Sequence, residues 1–76
     1  MADEISTAMA NCQGKSVLLR LRNSKTIQGI LIDFDIHMNL TMDDAEDISE
    51  EKHASLGKIL LRGDNILAIS LPNDKS

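Results

Sequence analysis

Two short segments hold side chains that could grip a flat, hydrogen-bonding ring: Asp35-Ile36-His37-Met38-Asn39 and Arg62-Gly63-Asp64-Asn65. Each falls where a strand pattern meets a loop, and 22 residues separate them. The imidazole of His37 can stack. The amide of Asn39 offers a donor beside an acceptor, which suits the edge of a pyrimidine. The guanidinium of Arg62 can stack on a base or pair with a phosphate. Asp35 accepts hydrogen bonds only when ionised, so its expected task is to hold Asn39 or a loop amide in place. On an extended segment, Asp35, His37 and Asn39 would point to one side. Arg62-Gly63-Asp64-Asn65 reads as a hairpin turn with Gly63 at positive φ. One arginine is a weak site, but several copies around a symmetry axis would form a cationic ring.

The elements that must position these residues are legible in the hydrophobic pattern. Asp3 is the expected N-cap of a short helix over about 3–12, with Ile5, Ala8, Met9 and Cys12 on one face and Gly14 as its stop. From Ser16 the period becomes two, with Val17, Leu19 and Leu21 alternating with Leu18, Arg20 and Arg22. Strands are expected over about 16–22, 26–34, 40–48, 57–62 and 65–71, with a frayed tail at 73–76. Gly29, inside the second strand, marks a sharp bend or a close backbone approach. The last two strands are apolar on both faces, as in Ile59-Leu60-Leu61 and Ile66-Leu67-Ala68-Ile69. Such strands need cover on both sides, and a chain this short has little material to supply it. A second copy of the chain is the expected cover, and terminal strands with unpaired edges favour that pairing.

Composition narrows the function. Seventy-six residues make one small domain, residues 1–76, whose stability alone is marginal. The single Cys12 excludes an intrachain disulfide, and there is no paired Cys/His metal spacing. Self-association remains the favoured source of stability. The lone cysteine and the lack of a signal peptide suggest a reducing cytoplasm, and no apolar stretch is long enough to span a membrane. A net charge of −4 argues against indiscriminate duplex binding. The acid is concentrated, with Asp43, Asp44, Glu46, Asp47, Glu50 and Glu51 within nine residues, and reads as a solvated loop. Lys15, Arg20, Arg22 and Lys25 occupy an acid-free stretch. Catalysis is not expected: Asp33, Asp35 and His37 could hold a metal only with ligands from elsewhere, and no activated nucleophile is evident. No cofactor and no small-molecule substrate are implied.

Lys15 to Asp44 resembles the first motif of the Sm/Lsm family, with Gly29, Leu31, Asp35, Met38 and Asn39 in order. Gly57 to Leu71 resembles the second, with Ile59, Arg62, Gly63, Asp64 and Asn65. With the preceding helix the likeness covers nearly the whole chain, and it is greatest to the Sm-like archaeal proteins (SmAP). The resemblance implies a mainly β fold: a short helix, then a strongly bent five-stranded antiparallel Sm-type barrel. It implies a ring in which the fourth strand of one subunit pairs with the fifth of the next, typically a homoheptamer, with hexamers also occurring. It implies binding of U-rich single-stranded RNA at the inner pore and a role in RNA processing, stability or chaperoning. By position, His37 and Arg62 would sandwich the base and Asn39 would bond its edge. Asp64 would shape the pocket, Gly63 would permit close backbone approach, and Asp35 would orient Asn39. A ring scaffold for protein assembly, with incidental RNA binding, is the alternative. Two departures stand out. Asn23-Ser24-Lys25 replaces a turn that often carries glycine, and Phe34 stands where many relatives have tyrosine. The expectation is therefore confined to a pore site.

Overall fold

The computed structural model describes residues 4–72. The expected N-cap Asp3 and the tail 73–76 lie outside the described residues. One helix, α1 (Glu4–Asn11), precedes five strands: β1 (Ser16–Leu21), β2 (Thr26–Phe34), β3 (Leu40–Asp47), β4 (Ala54–Leu61) and β5 (Ile66–Ser70). A single 3-10 turn, Gly63–Asn65, links β4 to β5. All pairings are antiparallel, and the sheet order is β4-β3-β2-β1-β5. The fold is thus mainly β, a five-stranded antiparallel sheet led by a short helix.

Alternation in β1 turns Val17, Leu19 and Leu21 inward and Ser16, Leu18 and Arg20 outward. The core they begin is completed by Met9 and Cys12 from α1, Ile27 and Leu31 from β2, and Leu40, Met42 and Ala45 from β3. Burying a leucine as completely as Leu19 or Leu40 contributes about 2 kcal/mol each. The sheet must curl to enclose so small a core. Gly29 permits this where β2 meets β3, because a Cβ there would lie 3.0 Å from the Ala45 Cα and 3.2 Å from the Asp43 carbonyl oxygen. The β2–β3 register shifts between Gln28 and Ile30 at this point.

Two features depart from the sequence reading. The fourth strand begins at Ala54, not near Gly57. Gly57 is not its start but an irregularity inside it, opposite Ala45 and at φ 73, where glycine is the unstrained choice. The acidic run is only partly a loop. Asp43, Asp44, Glu46 and Asp47 belong to β3, because Met42 and Ala45 turn into the core and carry the strand past them. Asp47 accepts from the Ser49 amide (3.0 Å) and hydroxyl (2.6 Å), and lies 3.4 Å from Lys25 Nζ.

The last two strands differ from the rest. Neither contains a buried residue, and they form the two edges of the sheet. Leu60 is 78% exposed and Leu67 is 59% exposed. Their inner residues Ile59, Leu61, Ile66 and Ile69 rest against the core, while the outer faces stand open. Among the described residues no helix is long and apolar enough to cross a membrane.

Candidate nucleic-acid interface

Five of the residues singled out from the sequence, His37, Asn39, Arg62, Gly63 and Asp64, line one open pocket of ≈ 570 Å³. They come from two turns distant in sequence: the β2–β3 turn and the 3-10 turn after β4. The chemistry of the short side chains explains how the two meet.

The segment Asp35–Asn39 is a tight turn and not the extended stretch that alternation suggested. The Met38 amide donates to the Asp35 carbonyl at 3.0 Å, and the Asp35 amide donates to the Asn39 carbonyl at 3.2 Å. Met38 closes the turn at φ 62, and its side chain packs against the core. The common side expected for Asp35, His37 and Asn39 from strand alternation therefore does not apply, and the turn is organised by the carboxylate of Asp35. Its Oδ1 accepts from the His37 amide (2.9 Å) and the Asn39 amide (3.0 Å), and its Oδ2 accepts from Asn39 Nδ2 (3.0 Å). These donors, the Asn39 amide foremost, then the Asn39 side chain and the His37 amide, hold the Asp35 carboxyl below the usual carboxylate range.

Asn39 then reaches across to the other turn. Its Oδ1 accepts from the Gly63 amide at 2.7 Å. With Nδ2 on Asp35 and Oδ1 on Gly63, the amide orientation is set by its partners. One N–H and one oxygen lone pair remain for a ligand. The pocket thus retains a donor beside an acceptor, held by bonds on both sides.

Of the two readings of Gly63, positive φ in a hairpin from the turn pattern and close backbone approach from the family resemblance, the first does not hold. The φ of Gly63 is not positive, and β4 and β5 form no hairpin, since they occupy opposite edges of the sheet. A Cβ at Gly63 would fall on the His37 carbonyl oxygen and lie 3.0 Å from the carbonyl atoms of Met38. Close approach of two backbones, not turn geometry, demands glycine here. Gly63 also borders a second, apolar groove of ≈ 410 Å³ between α1 and β5, lined by Ala8, Met9, Met38, Ile66 and Ile69 among others.

The charged pair at the rim is loose. Arg62 lies 3.5 Å from the Asp64 carboxylate, with side chains 79% and 69% exposed. Such a pair adds little to stability and leaves the guanidinium available. One further residue reaches this turn that sequence reasoning passed over: Arg22, whose Nε donates to the Asp64 carbonyl at 2.7 Å. Forty-two positions separate the two, so no local pattern could reveal the bond. Asp33 is not part of the site. Its Oδ1 accepts from the Phe34 amide at 2.8 Å and from Gln13 Nε2 at 3.4 Å. Among the described residues no group of three or more His, Cys, Asp and Glu side chains is gathered to hold a metal.

A curled antiparallel sheet with two open edges, and with a polar pocket built from the β2–β3 turn and the turn after β4, defines a small class of β proteins. The profile of the LSM domain matches residues 7–71, and the chain belongs to that family. An snRNP Sm-like protein of Methanosarcina barkeri is 35% identical over 71 residues, which is 92% of this chain and 99% of that protein. Its counterpart in Thermococcus sibiricus is 47% identical over 57 residues, 74% of this chain and 75% of that one. Among solved structures, the SmAP1 heptamer of P. aerophilum superposes with a TM-score of 0.89 at 37% identity, covering 96% of this chain and 99% of that one. The Sm protein of Pyrococcus abyssii, solved in complex with a uridine heptamer, superposes at 0.82 with 36% identity, covering 93% and 100%.

Proposed function

We propose that this chain is a single Sm-like domain that closes into a homo-oligomeric ring and binds U-rich single-stranded RNA at the pocket of His37, Asn39, Arg62, Gly63 and Asp64. The observation that carries the reading is the braced amide of Asn39, which keeps a free donor and a free acceptor side by side within that pocket. Uracil presents an N–H beside a carbonyl oxygen, and such an amide answers both. His37 and Arg62 supply the stacking surfaces, and Arg62 adds charge for the phosphates. Asp64 shapes the rim, and Asp35 acts from behind by orienting Asn39.

The ring rests on the edges of the sheet. The free edge of β4 on one subunit pairs with the free edge of β5 on the next, which covers Leu60 and Leu67. Seven subunits is the proposed number, in keeping with the heptamers formed by similar proteins. Repetition of one weak pocket around the ring turns modest affinity into avidity. The protein is not an enzyme in this reading and takes no small-molecule substrate. It handles RNA during processing, turnover or chaperoning, and the free, buried thiol of Cys12 fits the reducing cytoplasm.

Fluorescence anisotropy of labelled oligo(U), against oligo(C) and oligo(A) at near-physiological salt, tests the proposal. Tight binding that prefers U is the expected result. Equal binding of all three, or none, overturns the pocket and leaves a ring that serves as a protein scaffold.

A further inference from the structure

We infer that Arg22 is a positioning residue for the pocket: its Nε–H bond to the Asp64 carbonyl braces the 3-10 turn that carries Arg62, Gly63 and Asp64. The inference rests on the pocket reading above and deepens it, by assigning the source of the pocket's rigidity on the side away from Asn39.

The geometry begins in the sheet. In the β1–β5 ladder Arg20 lies opposite Ala68, but Leu21 lies opposite Ile66 and not Leu67. The extra residue is a bulge, and bulges re-aim the chain that follows them. Its effect is to bring Asn65 opposite Arg22, where the Arg22 amide donates to the Asn65 carbonyl at 2.9 Å. The stem of Arg22 therefore starts beside the 3-10 turn, and its Nε–H meets the Asp64 carbonyl at 2.7 Å. A donor on a charged group makes a stronger bond than a neutral one. Within the turn, the Asn65 amide donates to the Arg62 carbonyl at 3.0 Å. On the far side the Gly63 amide is held by Asn39. The three-residue turn is thus clamped between Asn39, with one bond, and Arg22, with a backbone bond to Asn65 and the side-chain bond to Asp64. Arg22 itself does not line the pocket of ≈ 570 Å³. It acts through Asp64, and the discrimination between bases depends on the placement it enforces.

Two neutral replacements separate the donor from the charge. Arg22→Met keeps the stem and removes both. Citrulline at position 22, introduced by total synthesis of the chain, keeps the Nε–H and removes the charge, with an oxygen in place of one Nη. The U-over-C affinity ratio is expected to fall about fivefold in Arg22→Met, the net worth of one hydrogen bond, and to fall by clearly less with citrulline, whose neutral N–H keeps a weaker bond. Hydrogen exchange of the Gly63 and Asn65 amides gives a second readout that needs no RNA. Both amides should exchange faster in Arg22→Met and by a clearly smaller factor with citrulline. Unchanged exchange in Arg22→Met overturns the brace, and so does equal loss in both variants, which would assign the effect to charge. If the unmutated ring shows no preference for U, the pocket reading fails, and the exchange rates alone still decide whether Arg22 holds the turn.

Discussion

Substituting Gly63 by alanine probes the junction on which the whole site depends. The added methyl would fall on the His37 carbonyl oxygen, with Met38 carbonyl atoms at 3.0 Å. None of these is a flexible side-chain end, so one of the two turns must move. Separation breaks the bond from the Gly63 amide to Asn39 Oδ1, 2.7 Å in the native protein. Loss of that bond costs about 1 kcal/mol. Displacing two packed backbones adds about 1–3 kcal/mol. Against this, alanine reduces the freedom of the unfolded chain, which offsets about 0.4–1 kcal/mol. Strain wins, and the net destabilisation is about 2 kcal/mol. For a domain of this size that is a fall in melting temperature of roughly 10 °C. Protein concentration must be matched, because ring assembly itself shifts the transition. Anisotropy on oligo(U) should show a greater loss than stability does, since Asn39 is released in every subunit at once. A Gly63→Ala protein with native melting temperature and native U affinity would refute the claim that backbone approach dictates this glycine.

Other perturbations sort the remaining roles. Asn39→Ala should flatten the preference for U more than it lowers total binding, with a loss of about 1–3 kcal/mol in discrimination per contact, read by competition between oligo(U) and oligo(C). Arg62→Ala should weaken binding to every sequence and lower the slope of affinity against salt, measured by titration at several ionic strengths; an unchanged slope would remove Arg62 from the phosphates. The carboxyls of Asp35 and Asp47 titrate below the usual 3.8 in the folded chain. Between the folded value and 3.8 the unfolded chain binds more protons. Their stabilising effect is therefore complete above that window and disappears as pH falls through it. Urea midpoints followed into the acid limb should fall less steeply for Asp35→Asn than for the unmutated protein. Leu60→Glu places a charge on an open face of an edge strand, and light scattering should report species smaller than the ring; an intact ring would exclude that face from the interface.

Much of the fold was legible in the order of residue types. The alternation of Val17, Leu19 and Leu21 states a strand with one buried face, because side chains along a strand point to opposite sides. The two-sided apolar pattern of 59–61 and 66–69 announced strands with unfinished cover, and both proved to be open edges. The start of β4 was misread because a glycine can begin a strand or interrupt one. Only the partner across the ladder, Ala45, distinguishes the two. The acidic run carried two readings, a solvated loop and the strand expected over about 40–48, and the strand reading holds for Asp43, Asp44, Glu46 and Asp47. Charge suggests solvent, but the inward residues Met42 and Ala45 decide the backbone path.

The site divides in the same way. Residue chemistry in the sequence was enough to nominate His37, Asn39 and Arg62, since stacking rings, amide edges and guanidinium groups are properties of single residues; Gly63 and Asp64 entered through the family resemblance. Their gathering was not legible in residue chemistry, because it depends on bonds between segments far apart: Asn39 to Gly63, 24 positions away, and Arg22 to Asp64, 42 away. For Gly63 the family resemblance implied close backbone approach, and only the tertiary structure shows which backbone approaches. Local pattern offered positive φ, which a turn can require within four residues, whereas the actual demand comes from the His37 carbonyl of another turn. Composition and periodicity along the chain thus determined which groups were present and which strand faces were apolar. Which backbone meets which, and so where a side chain has room to exist, was decided only when the sheet curled and brought the two turns into contact.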